Sequence, residues 1–223
     1  MNIDTVRLSP AGKSPATLIT PYLQPTSMSS TLPDSDLPRA QPMPGDLAMW
    51  FFIFAELLVF GIFFLAYAFA RANDPALFTA GQQTIDQTAG AINTMLLITS
   101  SYAVAQAVSA IKRDALAHCL RWLGLAIGLG LGFIVLKLAG FAAITAQGIN
   151  LSTNTYYMFY LSLTGFHFMH VVMGLIILAA VLRNAWRGAY SATEHTGIET
   201  GASYWHMVDL VWIILFALVY VLH

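Results

Sequence analysis

Two histidines, His167 and His170, lie inside an apolar run of the sequence that extends from Tyr156 to Leu182. Their spacing puts both imidazole rings on one face of a helix. Counted from Tyr156 at about 1.5 Å per residue, His167 lies roughly 16 Å into the run, near the middle of a hydrocarbon core about 30 Å thick. Polar groups at that depth need partners, so we expect a neighbouring helix, a lipid headgroup or a cofactor to meet this face.

A carboxyl group interrupts another apolar run at Glu56. It lies roughly 14 Å from the end of its run, and His167 reaches about the same depth from the other side of the membrane. These depths predict a hydrogen-bonded or ionic pairing of Glu56 with His167. Such a group could carry protons, because protonation removes the cost of burying its charge. The alternative is a permanently neutral glutamic acid bonded to a neighbouring helix.

A second histidine pattern places His206 and Asp209 on one face near the start of the last apolar run, at its predicted cytoplasmic end. His170 reaches a comparable depth, so the three side chains could form a cluster that binds a metal, a haem or a lipid phosphate. The intramembrane histidines are too few for a haem-copper centre, and no metal site is predicted. The commoner use is hydrogen bonding between helices. It would also involve the polar residues Asn93, Thr94 and Thr164.

Lys137 is predicted to lie deep in the outer half of the third run, and aromatic residues are predicted to lie where the helices meet the membrane surface. Lys137 interrupts the third run, where its stem can extend towards the outer surface or its ammonium group can pair with a carboxylate or a lipid phosphate. Aromatic residues at the ends of the runs are interpreted as interfacial anchors. These are Trp50, Trp186, Tyr190, Tyr204 and Trp205.

The elements that position these residues follow from composition. The chain is 57% hydrophobic and only 9% charged, whereas soluble proteins are about 25% charged. Five runs are each long enough to cross a bilayer once, which predicts an all-α integral membrane bundle of five transmembrane helices. The predicted spans are 47–70, 89–110, 120–145, 156–182 and 204–222. A net charge of −1 without a basic run excludes nucleic acid as a partner.

Two domains are predicted, a tail over residues 1–46 and a membrane domain over residues 47–223. The tail holds eight of the nine prolines and reads as disordered. Eight of the ten basic residues fall on the side of the membrane that carries the tail. This asymmetry predicts a cytoplasmic N-terminus, a periplasmic C-terminus and an odd number of crossings.

Four blocks of the sequence together resemble subunit III of the haem-copper oxidases, the family of cytochrome c oxidase subunit III. The similarity extends from about Gly45 to the end of the chain. The blocks are Trp50–Phe60, Asn93–Thr94 with residues 96–101, Thr164–Val171 with Gly174, and Tyr204–Asp209 with Val211 and Trp212. The chain looks like the shorter, five-helix form of the family, in agreement with the odd crossing number.

The resemblance implies a non-catalytic subunit of an oxidoreductase complex in a bacterial inner membrane. Such a subunit packs against the catalytic subunit I, beside subunit II, and supports aerobic electron transport. It carries no haem, copper or other cofactor of its own and holds phospholipid. By position, Glu56 matches the family's buried carboxyl group. The family's paired histidines match His167 and His170, and the polar residues of its last helix match His206 and Asp209.

The third run departs from the family pattern, which has a glutamine followed three residues later by a glutamate. Lys137 and Gly140 stand there instead. This change removes a carboxylate and adds a cation, which is compatible with a divergent branch such as the subunit III-like protein associated with bacterial nitric oxide reductase. An accessory role in that reductase is therefore the alternative function. A further alternative, from another class, is an independent proton or ion carrier built around Glu56 and the histidines.

Overall fold

The computed structural model describes residues 47–221, which form six α-helices and a closing π-helical segment. In order, these are α1 (Leu47–Asn73), α2 (Pro75–Gln83), α3 (Gln87–Lys112), α4 (Leu116–Ala146), α5 (Thr155–Trp186), α6 (Thr196–Phe216) and the π-helix (Ala217–Val221). All of them except α2 belong to five stretches that are long and apolar enough to cross a membrane. The predicted all-α bundle of five spans is confirmed. The predicted tail, residues 1–46, lies outside the described residues.

The short helix α2 lies between the first two predicted spans, in a segment whose polar residues predict a loop to about Thr88. Asp74 caps it by accepting a hydrogen bond from the backbone N–H of Leu77 at 3.1 Å, and Pro75 fits its first turn because no N–H is needed there. Phe78 is buried edge-on against the rings of Tyr67 and Tyr156. The loop prediction is wrong because an N-cap and one buried aromatic side chain are enough to hold nine residues helical.

Helix α6 begins eight residues before its predicted start, and α5 ends four residues beyond its predicted end. Helix α5 has 32 residues and is therefore about 48 Å long. Helix α6 begins at Thr196, before its apolar run starts, and Ile198 and Gly201 in this early part are buried. Helices that outrun the hydrocarbon core by several turns do not have their depth fixed by the ends of their apolar runs.

Helix α6 lies inside the bundle and contacts α1, α3 and α5, while α3 and α4 form a closely packed hairpin. Small residues permit the close approaches. Gly130 of α4 and Gly174 of α5 both lie against the indole of Trp205, where a Cβ atom would come within 3 Å of the ring. Helix α1 is peripheral and buries only Ile53, Phe60 and Tyr67, spaced seven residues apart.

Of the five aromatic residues predicted as interfacial anchors, Trp50 and Tyr190 are partly buried and the other three differ sharply in exposure. Trp186 is 81% exposed at the end of α5, as an anchor would be. Tyr204 and Trp205 are buried in the core, so their prediction as anchors is wrong. The early start of α6 explains the error, because it places both residues more than two turns inside the helix.

Candidate functional site

Glu56 of α1 and His170 of α5 form a pair of ionisable groups that joins two spanning helices. Glu56 Oε2 lies 3.0 Å from His170 Nε2. The other ring nitrogen, Nδ1, donates to the backbone carbonyl oxygen of Phe166 at 2.8 Å. A carbonyl oxygen only accepts, so Nδ1 carries a proton. The contact is therefore either a neutral pair, in which the Glu56 O–H donates to Nε2, or an imidazolium–carboxylate pair.

The predicted pairing of Glu56 with His167 is wrong by one helical turn. His167 is fully buried, and neither of its ring nitrogens has a hydrogen-bond partner among residues 47–221. Its ring packs against those of Phe60, Phe133 and Trp212, with centroids 5.2–6.4 Å apart. The error arises because a depth counted along an apolar run does not fix how α1 and α5 pack against each other, and their packing brings Glu56 to His170.

His206 and Asp209 lie between α3 and α6, away from the Glu56–His170 pair. His206 Nδ1 is 2.6 Å from Ser101 Oγ, and Asp209 Oδ1 is buried without a hydrogen-bond partner among residues 47–221. The predicted cluster with His170 is therefore wrong, because His170 faces α1 instead. Within residues 47–221 no three His, Cys, Asp or Glu side chains come together as a metal site would require.

Asn93, Thr94 and Thr164 are the other polar residues predicted to form hydrogen bonds between helices. Together with Glu56, His170, Ser101, His206 and Asp209 they are called the polar network below. Thr94 Oγ1 accepts a hydrogen bond from the indole Nε1 of Trp212 at 3.0 Å, which joins α3 to α6. Thr164 Oγ1 donates to the carbonyl oxygen of Tyr160 within α5. Asn93 is buried, and its Oδ1 has no hydrogen-bond partner in the described part of the chain.

Lys137 points into the bundle rather than towards the membrane surface. Only 3% of its surface is exposed, and Nζ donates a hydrogen bond to Tyr220 Oη at 3.1 Å. Four aromatic rings surround the ammonium group, with Nζ 5.1–5.6 Å from their centroids. They belong to Phe141, Tyr160, Trp212 and Tyr220. The prediction that its stem reaches the surface is wrong, because this face of α4 packs against α5 and the π-helix.

Several residues of the network escape sequence reasoning. Tyr160 and Tyr220, whose hydroxyl oxygens are 3.1 Å apart, complete the surroundings of Lys137. Gln82 of α2 donates to the carbonyl oxygen of Val219 at 3.0 Å. A tyrosine in an apolar run does not by itself indicate a polar contact. The π-helix that exposes the Val219 carbonyl group has no recognisable sequence pattern.

The family model and the relatives that match this chain point to the same protein family. Residues 45–223 match the family described as cytochrome c oxidase subunit III. Cytochrome c oxidase subunit 3 of Synechocystis sp. is 34% identical over 212 residues, which cover 92% of this chain and 90% of the relative. The same subunit of Thermostichus vulcanus is 33% identical over 177 residues, covering 79% and 86%.

A third relative carries the region within a longer polypeptide. Heme-copper oxidase subunit I+III of Aeropyrum pernix is 29% identical over 191 residues, which cover 80% of this chain and 23% of that protein. All three relatives are oxidase subunits, which favours the oxidase interpretation. The nitric oxide reductase alternative gains no support from them.

Proposed function

Because the chain belongs to the cytochrome c oxidase subunit III family, whose members are non-catalytic accessory subunits of haem-copper oxidases, we propose that it packs against the catalytic subunit of such an oxidase and stabilises it. The observation that carries this proposal is the extent of the match. Residues 45–223 include every described helix and the whole polar network. The Aeropyrum pernix relative, by its name, joins subunits I and III, which supports a close association.

The geometry suits a structural role for the polar residues. The Glu56–His170 contact joins α1 to α5, the Ser101–His206 contact joins α3 to α6, and the Thr94–Trp212 bond is a second tie between α3 and α6. A peripheral helix such as α1, which buries few side chains, gains most from a polar tie. The network thus holds the bundle in one shape for its partner.

The proposed location is a bacterial inner membrane, with the N-terminus cytoplasmic and the C-terminus periplasmic. The end of α3, the start of α4 and the end of α5 lie at the same end of the bundle. Basic residues concentrate there: Lys112, Arg113, Arg121, Arg183 and Arg187. Such a concentration marks the cytoplasmic side.

Bound phospholipid is the second part of the proposal. A groove of about 620 Å³ lies between the end of α4 and the start of α5. Its walls include Phe141, Leu161, Phe166 and Met169, which suit an acyl chain.

Purification of the tagged chain from its native membrane in mild detergent tests the proposal. A haem-containing catalytic subunit should co-purify, as shown by the absorption spectrum of the eluate, and phospholipid should accompany it. Membranes with an untagged chain provide the background. An eluate that repeatedly lacks haem would contradict the association.

A further inference from the structure

A cavity of about 360 Å³ lies at the end of the bundle where α3 begins and α4 ends. Its lining extends from Asp86 and Gln147, beside the helix ends, to Asn93 and Lys137 inside the bundle. Counted at about 1.5 Å per residue, Asn93 lies roughly 9 Å from the start of α3 and Lys137 roughly 14 Å from the end of α4. The cavity thus connects the end of the bundle with two buried polar side chains.

Lys137 brings an ammonium group to this cavity with most of its hydrogen-bonding capacity unused. The group has three N–H donors, and one of them is satisfied by Tyr220 Oη. Its other neighbours in the described part of the chain are aromatic rings, and none of the ion pairs found there includes Lys137. Aromatic faces offset only part of the cost of removing an ammonium group from water. An anion in the cavity would supply what is missing.

Asn93 is a second, independent indication of a ligand. The side chain is 3% exposed, and its Oδ1 has no hydrogen-bond partner within residues 47–221. A buried carbonyl oxygen that accepts no hydrogen bond costs stability. Because the oxygen and nitrogen of a side-chain amide exchange places by a rotation, Asn93 can direct its N–H donors into the cavity.

We propose that this cavity binds the phosphate group of an anionic molecule, with Lys137 Nζ as the counter-charge and the Asn93 amide as a hydrogen-bond donor. The inference rests on the proposed function for its membrane setting, and it gives the lipid part of that function a defined site. The same chemistry is offered by a lipid headgroup and by free phosphate.

The depth of Lys137 favours a lipid as the source. Helix α4 has 31 residues and is about 46 Å long, so it extends roughly 8 Å beyond each edge of a hydrocarbon core about 30 Å thick. Lys137 then lies roughly 6 Å inside that edge, within reach of a headgroup phosphate that enters the cavity. Gly140, one turn closer to the end of α4, leaves open space beside it.

Asp86 is the one carboxylate among the described residues of the lining, and it is engaged in other hydrogen bonds. Its Oδ1 accepts hydrogen bonds from the backbone N–H groups of Thr88 and Ala89 at 2.9 and 3.1 Å. It caps α3, where the partial positive charge of the helix N-terminus offsets its own. Its charge therefore opposes an anion less than its position suggests.

The test compares anion retention by the wild-type chain with that of Lys137→Met. The full chain is stripped of lipid in detergent, exposed to phosphatidylcholine vesicles with and without phosphatidylglycerol, and examined by native mass spectrometry. Wild type should retain one phosphatidylglycerol, and Lys137→Met should retain it about tenfold less, equivalent to about 1.4 kcal/mol. Lys112→Met is the matched control, because Lys112 is half exposed and pairs with Glu199; it should bind like wild type.

A second measurement identifies the source of the anion. Inorganic phosphate is added to the lipid-stripped chain, and the midpoint of thermal unfolding is recorded. A Lys137-dependent rise with phosphate, without retention of phosphatidylglycerol, would assign the cavity to a free anion. If neither probe binds wild type, or if both bind Lys137→Met equally well, the cavity is not an anion site.

These outcomes are separate from the test of the oxidase association. Lys137→Met should still co-purify with the haem-containing subunit, since its side chain lies inside this bundle. Lysine-dependent lipid binding by a chain that recruits no haem would support the cavity and refute the proposed function. Co-purification of haem with a chain that binds no anion would support the oxidase association and refute the anion site.

Discussion

Glu56 and Lys137 are both ionisable groups inside the membrane domain, but they have different surroundings. Glu56 lies between two helices and meets an imidazole nitrogen at 3.0 Å, so the chain itself supplies a partner of matching chemistry. Lys137 meets one hydroxyl group and four aromatic faces. The first group ties the bundle together, whereas the second has hydrogen-bonding capacity left for a ligand from outside the chain.

The largest effect is expected at the Glu56–His170 pair. Glu56→Ala leaves His170 Nε2 without its partner and loosens α1, which should cost about 2 kcal/mol of stability. Glu56→Gln keeps a donor for Nε2 and should cost less. Thermal unfolding of the two variants in detergent micelles measures the difference. Equal losses would mean that charge, not hydrogen bonding, holds the pair.

Lys137→Met should change the stability of the lipid-stripped chain by no more than about 1 kcal/mol in either direction. Methionine has a similar shape, and removing a buried ammonium group that lacks an ionic partner also removes its desolvation cost. The same unfolding assay applies. A loss as large as that of Glu56→Ala would show that Lys137 is a structural tie like Glu56, and would remove the contrast between the two regions.

The smallest effect is expected for His167→Phe. The ring makes no hydrogen bond within the described residues and already packs among aromatic side chains, so an apolar ring of similar size should cost less than about 1 kcal/mol. Infrared spectra of the Glu56 carboxyl group should stay the same, because Glu56 bonds to His170. A shifted Glu56 band would indicate that the two histidines act together.

The number of spans could be predicted from the sequence, because long apolar runs with few charges have no other stable arrangement. The side-chain pairs that join the helices could not be predicted from the sequence. Depth counted along a run selects His167 for Glu56, and only the packing of α1 on α5 selects His170. Periodicity likewise places His206 and Asp209 on one helix face, but it does not predict that His206 contacts Ser101 of α3.

The surroundings of Lys137 could not be predicted from the sequence either. The sequence marks it as unusual and names its possible partners, a carboxylate or a phosphate. It does not reveal that α5 and the π-helix close over this side chain, because Tyr160 and Tyr220 are distant in sequence and ordinary in type. Burial of a charged residue is a property of the assembled bundle.

The mass of the intact complex tests the central claim most directly. Native mass spectrometry of the tagged chain, released gently from its own membrane, should show one copy bound to a haem-containing catalytic subunit, with the haem mass present in that assembly. A spectrum that contains only the free chain, while the oxidase from the same membrane appears complete without it, would contradict the account.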